Sequence, residues 1–228
     1  MNAHERIGLP PHTMRWLAEL PTDTPVAVLM RHSARPPIPK GEVGMDLPIT
    51  AEGRTMALEL GAALGTRLRR LHTSPVLRCV QTADALAEGA GSRATPVHDT
   101  MLGEPGAFVL DGRVAWDNWL QLGHAGVMTH LVSAGTALPG MAEPQEAARR
   151  LTCHMLRVGG GDPGLHVFVT HDLLVTATAA RALGVPLGRE DWPPYLEAAF
   201  FWHRSGVCHV AYRALRAGAA WVHDAPVT

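Results

Sequence analysis

Three short segments of the sequence concentrate arginine and histidine: Arg31-His32-Ser33-Ala34-Arg35, His72-Thr73-Ser74-Pro75-Val76-Leu77-Arg78 and Thr170-His171-Asp172. If they meet in space, Arg31, Arg35, Arg78, His32 and His171 share one spot. So much positive charge repels itself unless an anion sits among it, and a phosphate dianion is the natural guest. Guanidinium forks match phosphate oxygens, and an uncharged imidazole nitrogen can attack phosphorus in line. The surrounding cations also favour unprotonated imidazoles near neutral pH.

Whether the segments meet depends on the elements that carry them. Pro25 to Met30 is a short apolar run entering Arg31-His32, suited to a buried strand. His166 to His171 is a second such run, and His72-Thr73-Ser74-Pro75 reads as a strand end turning into a helix. Ala94 to Thr100 is a candidate third strand in chain order. Thr50 offers an N-cap to a helix with Met56, Leu60, Ala63, Leu64 and Leu68 at helical spacing, which puts Arg67, Arg69 and Arg70 at its C-terminal end. Further helices are expected from Val76 to a stop at Gly89, over Gln145 to Leu156, and from Leu173 to a stop at Gly184. Residues 198–213 read as a hairpin turning at Arg204-Ser205-Gly206. Strands alternating with helices imply an α/β fold, a three-layer α/β/α sandwich with a largely parallel sheet and an antiparallel edge from the hairpin. In such a sheet the working residues lie beyond the carboxyl ends of strands, where all three segments fall.

The segments VLMRHSAR, LPITAEGRTMALELGAAL, LHTSPVLRCVQTADAL and VFVTHDLLV resemble, in this order, the motifs of the histidine phosphatase superfamily, whose fold is phosphoglycerate-mutase-like. The resemblance spans most of residues 25–185. It implies that His32 becomes a phosphohistidine, that Arg31, Arg35, Arg78 and His171 hold the phosphoryl group, and that no cofactor or metal is required. It offers two general acids: Asp172, which follows the second histidine as in the acid-phosphatase branch, and Glu104, where the mutase-like branch keeps its acidic residue. Ser33 stands where the family usually has glycine, and its hydroxyl is a candidate phosphate contact. The loop Pro36 to Val43 lacks the asparagine and tryptophan of the mutases, which favours phosphomonoester hydrolysis over phosphoryl transfer. A mutase and a non-catalytic phosphate-binding protein are the alternatives. The resemblance also places an inserted helical and loop segment, about residues 105–135, over the pocket, making Trp116 and Trp119 candidates for substrate contact. The substrate itself is left open among sugar phosphates, nucleotides, phosphopeptides and prenyl phosphates.

Composition narrows the remaining classes. The 228 residues fit one domain, since α/β folds of roughly 200–250 residues commonly form a single unit. Twenty basic against 21 acidic side chains argue against a partner in nucleic acid or an anionic membrane surface. Lys40 is the only lysine, so the cations are arginines. Cys79, Cys153 and Cys208 are unclustered and read as buried thiols of a reducing compartment. With no apolar leader and no stretch of about 20 apolar residues, a cytoplasmic enzyme acting on a small phosphorylated substrate is expected. The pairs His166/His171 and His203/His209 have no metal-ligand pattern, and His98, His124, His130 and His154 read as core or surface residues. Trp192 and Trp202 read as packing residues.

Overall fold

Buried strands need apolar side chains on both faces, and residues 26–31 are buried without interruption in β1 (Pro25–Arg31). The computed structural model describes residues 8–39, 41, 42 and 44–219. In it β1 pairs in parallel with β4 (Gly164–Thr170), Arg31 opposite Thr170. On its other side, β4 runs parallel to β2 (Leu68–Thr73), which continues to the short β3 (Val97–His98). Beyond β1 lie the antiparallel β5 (Ala198–Arg204), β6 (Val207–Tyr212) and β7 (Leu215–Gly218). The result is one mixed seven-stranded sheet of order β3-β2-β4-β1-β5-β6-β7. Its parallel half is the expected one; the hairpin and β7 make the other half antiparallel.

Alternation along β1 divides the core. Val26, Val28 and Met30 pack with α1 (Pro11–Glu19), α2 (Ala51–Leu64) and α3 (Leu77–Gly89). Ala27 and Leu29 point the other way, into a cluster with α4 (Gly112–Ser133), α5 (Pro144–Gly159) and α6 (Asp172–Leu183). Helices therefore cover both faces. Thr50 caps α2 as expected, its hydroxyl accepting from Gly53 N. Cys79 and Cys208 are buried, whereas Cys153 is only half-buried.

The α2–β2 boundary departs from the sequence reading. Leu68 extends the helical spacing, but the helix stops at Leu64 because Gly65 adopts φ 51°, a left-handed conformation open to glycine. Leu68, Arg69 and Arg70 thus belong to β2. Arg67 does meet carbonyls at a helix end, but that of α1: it donates to Leu17 O at 2.6 Å and, just past the helix, to Pro21 O at 3.2 Å.

Helix α1 docks beside the start of β5. The Thr13 hydroxyl lies 3.3 Å from Glu197 Oε1 and accepts from Ala198 N at 3.1 Å. Trp16 Nε1–H donates to Arg213 O at 2.8 Å. Glu197 is 1% exposed. Burial pushes its carboxyl up to about 7, against the pull of Arg213, Thr13 and Arg15.

Candidate active site

The parallel register fixes where the chemistry falls. β1, β2 and β4 end on the same edge of the sheet, so Arg31-His32, Thr73-Ser74 and Thr170-His171 emerge side by side. His32 N–H donates to Thr170 O at 2.8 Å and Ser74 N–H to Val169 O at 2.9 Å, extending the ladder just past the strands. Two helices start there. α3 brings Arg78 in its first turn, and α6 opens at Asp172 directly after His171. Both N-termini carry partial positive charge, which favours an anion and disfavours a guanidinium placed beside it. Arg78 occupies that unfavourable position and is 7% exposed.

His32 is 3% exposed, and its tautomer follows from its contacts. Nδ1 lies 2.8 Å from Ser33 O, and a carbonyl only accepts, so Nδ1 carries the proton. Nε2 is then a lone pair, and Arg78 Nε–H donates to it at 3.2 Å. Burial holds the His32 pKa well below its ordinary value, reinforced by the neighbouring His171 and by the charges of Arg31 and Arg78. His171 is locked in a complementary way. Arg78 Nη2 donates to its Nδ1 at 3.4 Å, which leaves Nε2–H to donate to Ser74 Oγ at 3.3 Å. Burial first, then Arg78, lowers its pKa to about 3. The two imidazoles sit edge to face with centroids 5.6 Å apart. Both are neutral at pH 7.

Arg78 is the hub of the site. Besides the two histidines it reaches Gly44 O at 2.7 Å, tying the loop after β1 to α3. Arg31 donates to Pro193 O at 2.7 Å, lies over the Tyr195 ring at 4.1 Å and faces Asp172 Oδ2 at 3.7 Å. Arg35 donates to Pro36 O at 2.8 Å and lines the cavity described below.

Ser33 is a correction. Its hydroxyl donates to Gly53 O at 2.6 Å and its N–H to Thr82 Oγ1 at 2.9 Å, with the residue fully buried. The serine pins the nucleophile's loop to α2 instead of facing a phosphate. Gly53 permits this approach: a Cβ there would stand 2.4 Å from Ala34 O.

The two acidic candidates occupy different environments. Asp172 is met by His124 Nε2 at 3.4 Å and Arg31 Nη2 at 3.7 Å, and it accepts from Leu173 N at 2.8 Å. Although burial opposes ionisation, His124 and Arg31 hold its carboxyl far below the usual range, so it stays a carboxylate. Glu104 is exposed at the cavity, its carboxylate close to the first turn of α4. His124 is the residue that sequence reasoning missed. It follows Gly123, where φ 66° and ψ 172° break α4, and its ring meets Trp192 edge to face at 5.6 Å. Nothing in local spacing marks it, because the break in α4 is what aims it at Asp172.

His32, Arg35, Arg78, His171, Asp172 and Glu104 all line one cavity of about 440 Å³. Trp116 and Trp119, from α4, line it too, as does His124. Among the described residues no group of three or more histidine, cysteine, aspartate or glutamate side chains is arranged to hold a metal ion. No helix among them is long and apolar enough to cross a membrane.

Comparison with known proteins identifies the family and the fold. The family model of the histidine phosphatase superfamily, branch 1, matches residues 27–200. No curated protein matches the sequence. Among solved structures, the chain is similar to a mycobacterial glucosyl-3-phosphoglycerate phosphatase complexed with VO3. That likeness has a TM-score of 0.52 and 22% identity, over 77% of this chain and 90% of that one. It is also similar to Bacillus stearothermophilus YhfR, with a TM-score of 0.54 and 23% identity over 82% and 95% of the two chains. An Entamoeba histolytica phosphoserine phosphatase mutant in complex with phosphoserine shares the fold at 14% identity, with a TM-score of 0.56 over 88% and 99%.

Proposed function

The chain belongs to branch 1 of the histidine phosphatase superfamily, and from that premise we propose that it hydrolyses phosphomonoesters through a phosphohistidine on His32. The observation that carries this reading is the His32 tautomer: Nδ1–H is fixed on Ser33 O, and the Nε2 lone pair lies beside Arg78 in a cavity rich in cations. A neutral imidazole held this way needs no base to become a nucleophile.

In the proposed reaction Nε2 attacks phosphorus, the P–N bond forms and the P–O bond to the alcohol breaks. Arg31, Arg35, Arg78 and His171, together with the N-termini of α3 and α6, stabilise charge on the equatorial oxygens. The departing alkoxide takes a proton. Asp172 is engaged by His124 and Arg31, whereas Glu104 stands exposed at the cavity, which favours Glu104 as the general acid. Water then attacks the phosphohistidine with Glu104, now ionised, taking its proton. Inorganic phosphate and free enzyme result.

The test is phosphate release from an aryl phosphate, with and without EDTA, for wild type and His32→Ala. Release that resists EDTA and is lost in the variant supports the reading. A folded wild type that binds phosphate but releases none from any monoester overturns it. For the acid, Glu104→Gln is expected to slow poor leaving groups by about 10²–10⁴-fold while sparing good ones. Asp172→Asn is expected to act alike on both, because it loosens Arg31.

A further inference from the structure

The cavity has two chemically distinct ends. At one stand His32, Arg35, Arg78 and His171. The remaining wall is largely apolar: Ile38, Met45, Val109, Trp116, Trp119 and Leu174. The polar side chains left beside these are few and mostly committed. His124 and Asp172 hold each other, and Glu104 serves the departing oxygen, which leaves the Glu42 carboxylate and the indole N–H groups of Trp116 and Trp119 as side-chain partners for a hydroxyl. Among the described residues no Asn, Gln, Ser, Thr or Lys side chain lines the cavity. A sugar ring or polyol carries more hydroxyl groups than these can serve, and each one buried without a partner carries a cost. Among the described residues a carboxylate or second phosphate would find no arginine or lysine of its own beyond the phosphoryl end, and would face Glu42 and Glu104 instead.

We infer that the substrate is a phosphomonoester of an apolar, uncharged alcohol, whose alkyl or aromatic part packs on Trp116 and Trp119 while its phosphoryl group meets His32. The inference rests on the phosphatase reading above and names the substrate class of that same site. Its physical basis is transfer of apolar surface from water to a wall of indole and aliphatic side chains, which is stronger for every methylene covered.

The test is kcat/KM for phosphate release along the series ethyl, butyl and hexyl phosphate, below the micellar range, beside glycerol 3-phosphate and 3-phosphoglycerate. Full transfer from water corresponds to about fourfold per methylene. Allowing for partial burial, hexyl phosphate is expected to exceed ethyl phosphate by at least about 16-fold and to exceed both polar esters. The alcohols of the polar esters are no worse as leaving groups, so reactivity alone cannot produce that order. The double variant Trp116→Ala/Trp119→Ala, checked for folding by circular dichroism, is expected to flatten the dependence on chain length and to act mainly through KM. Turnover of glycerol 3-phosphate or 3-phosphoglycerate at or above that of hexyl phosphate, still dependent on His32, overturns the substrate class and leaves the phosphatase reading standing. No His32-dependent release from any ester overturns both.

Discussion

The carboxyl of Glu197 gives the protein a stability that depends on pH in a direction opposite to ordinary acid denaturation. Its pKa is raised from 4.5 to about 7 by burial between α1 and β5. The folded state therefore binds its proton more tightly than the unfolded state, and stability falls as pH rises through that interval. Below the unfolded value the penalty vanishes, and above the folded value it is complete. The full effect is about 3 kcal/mol, of which about 2.5 kcal/mol develops between pH 5 and pH 8. Glu197→Gln removes the titration while keeping the shape. Its amide adds buried N–H groups that need acceptors, so its absolute stability at one pH is a poor readout. The difference between pH 5 and pH 8 is the better one, because that cost is nearly the same at both. Urea unfolding at the two pH values, on wild type and variant, measures it. The buried histidines contribute a slope of the other sign below pH 6.5, but both proteins share it and it cancels. The reasoning is refuted if the two stability profiles run parallel to within about 0.5 kcal/mol.

Three further outcomes are expected. His32 and His171 have depressed pKa values, so NMR titration should find both rings neutral at pH 6.5 in the free protein. For the same reason stability should fall as the pH drops below 6.5, where unfolded histidines take up protons that the folded ones refuse; protonated rings in the folded protein at pH 6.5 contradict this. Ser33→Gly removes the bond to Gly53 O and should cost about 1 kcal/mol in denaturant melts, with kcat/KM within about threefold of wild type. A loss beyond tenfold would return the hydroxyl to the phosphate. Gly53→Ala places a methyl group against Ala34 O, which is backbone and yields only if the nucleophile's loop moves. That variant should lose about 1–3 kcal/mol and, unlike Ser33→Gly, most of its phosphate release.

What the sequence disclosed, and what it withheld, follows from how local each determinant is. β1 and β4 were legible because a strand buried on both faces must be a continuous apolar run, and each run ends abruptly in charged or polar residues. Arg31, His32, Arg78 and His171 fall together because parallel pairing aligns those ends, a rule that needs no coordinates. The end of α2 was misplaced because Leu68 satisfies helical spacing from Leu64, and only the backbone at Gly65 decides otherwise. The Ser33 hydroxyl went astray for a different reason. Its position beside the nucleophile says nothing about which way it points, and the close approach of Gly53 turns it toward α2. The roles of His124 and Glu197 are set by partners far along the chain. His124 needs the break at Gly123 to reach Asp172, and Glu197 needs α1 laid across it. Neither relation has a periodicity to betray it.

The strand order carries a consequence for how the chain comes together. β4 lies between β2 and β1, so the strand made last of the three must enter between two that were made first. Until it does, β1 and β2 each present an open edge of unpaired backbone groups, and the apolar side chains meant for β4 face water. Such edges are templates for intermolecular pairing, and long-range parallel pairing is slow. A chain truncated before residue 164 would therefore lack the middle of its sheet and tend to aggregate, instead of surviving as a smaller and weaker protein. During synthesis the same gap makes the middle of the chain the interval in which a chaperone has most to protect. The phosphate pocket cannot form before that gap is filled, because His171 reaches His32 only when β4 is in place.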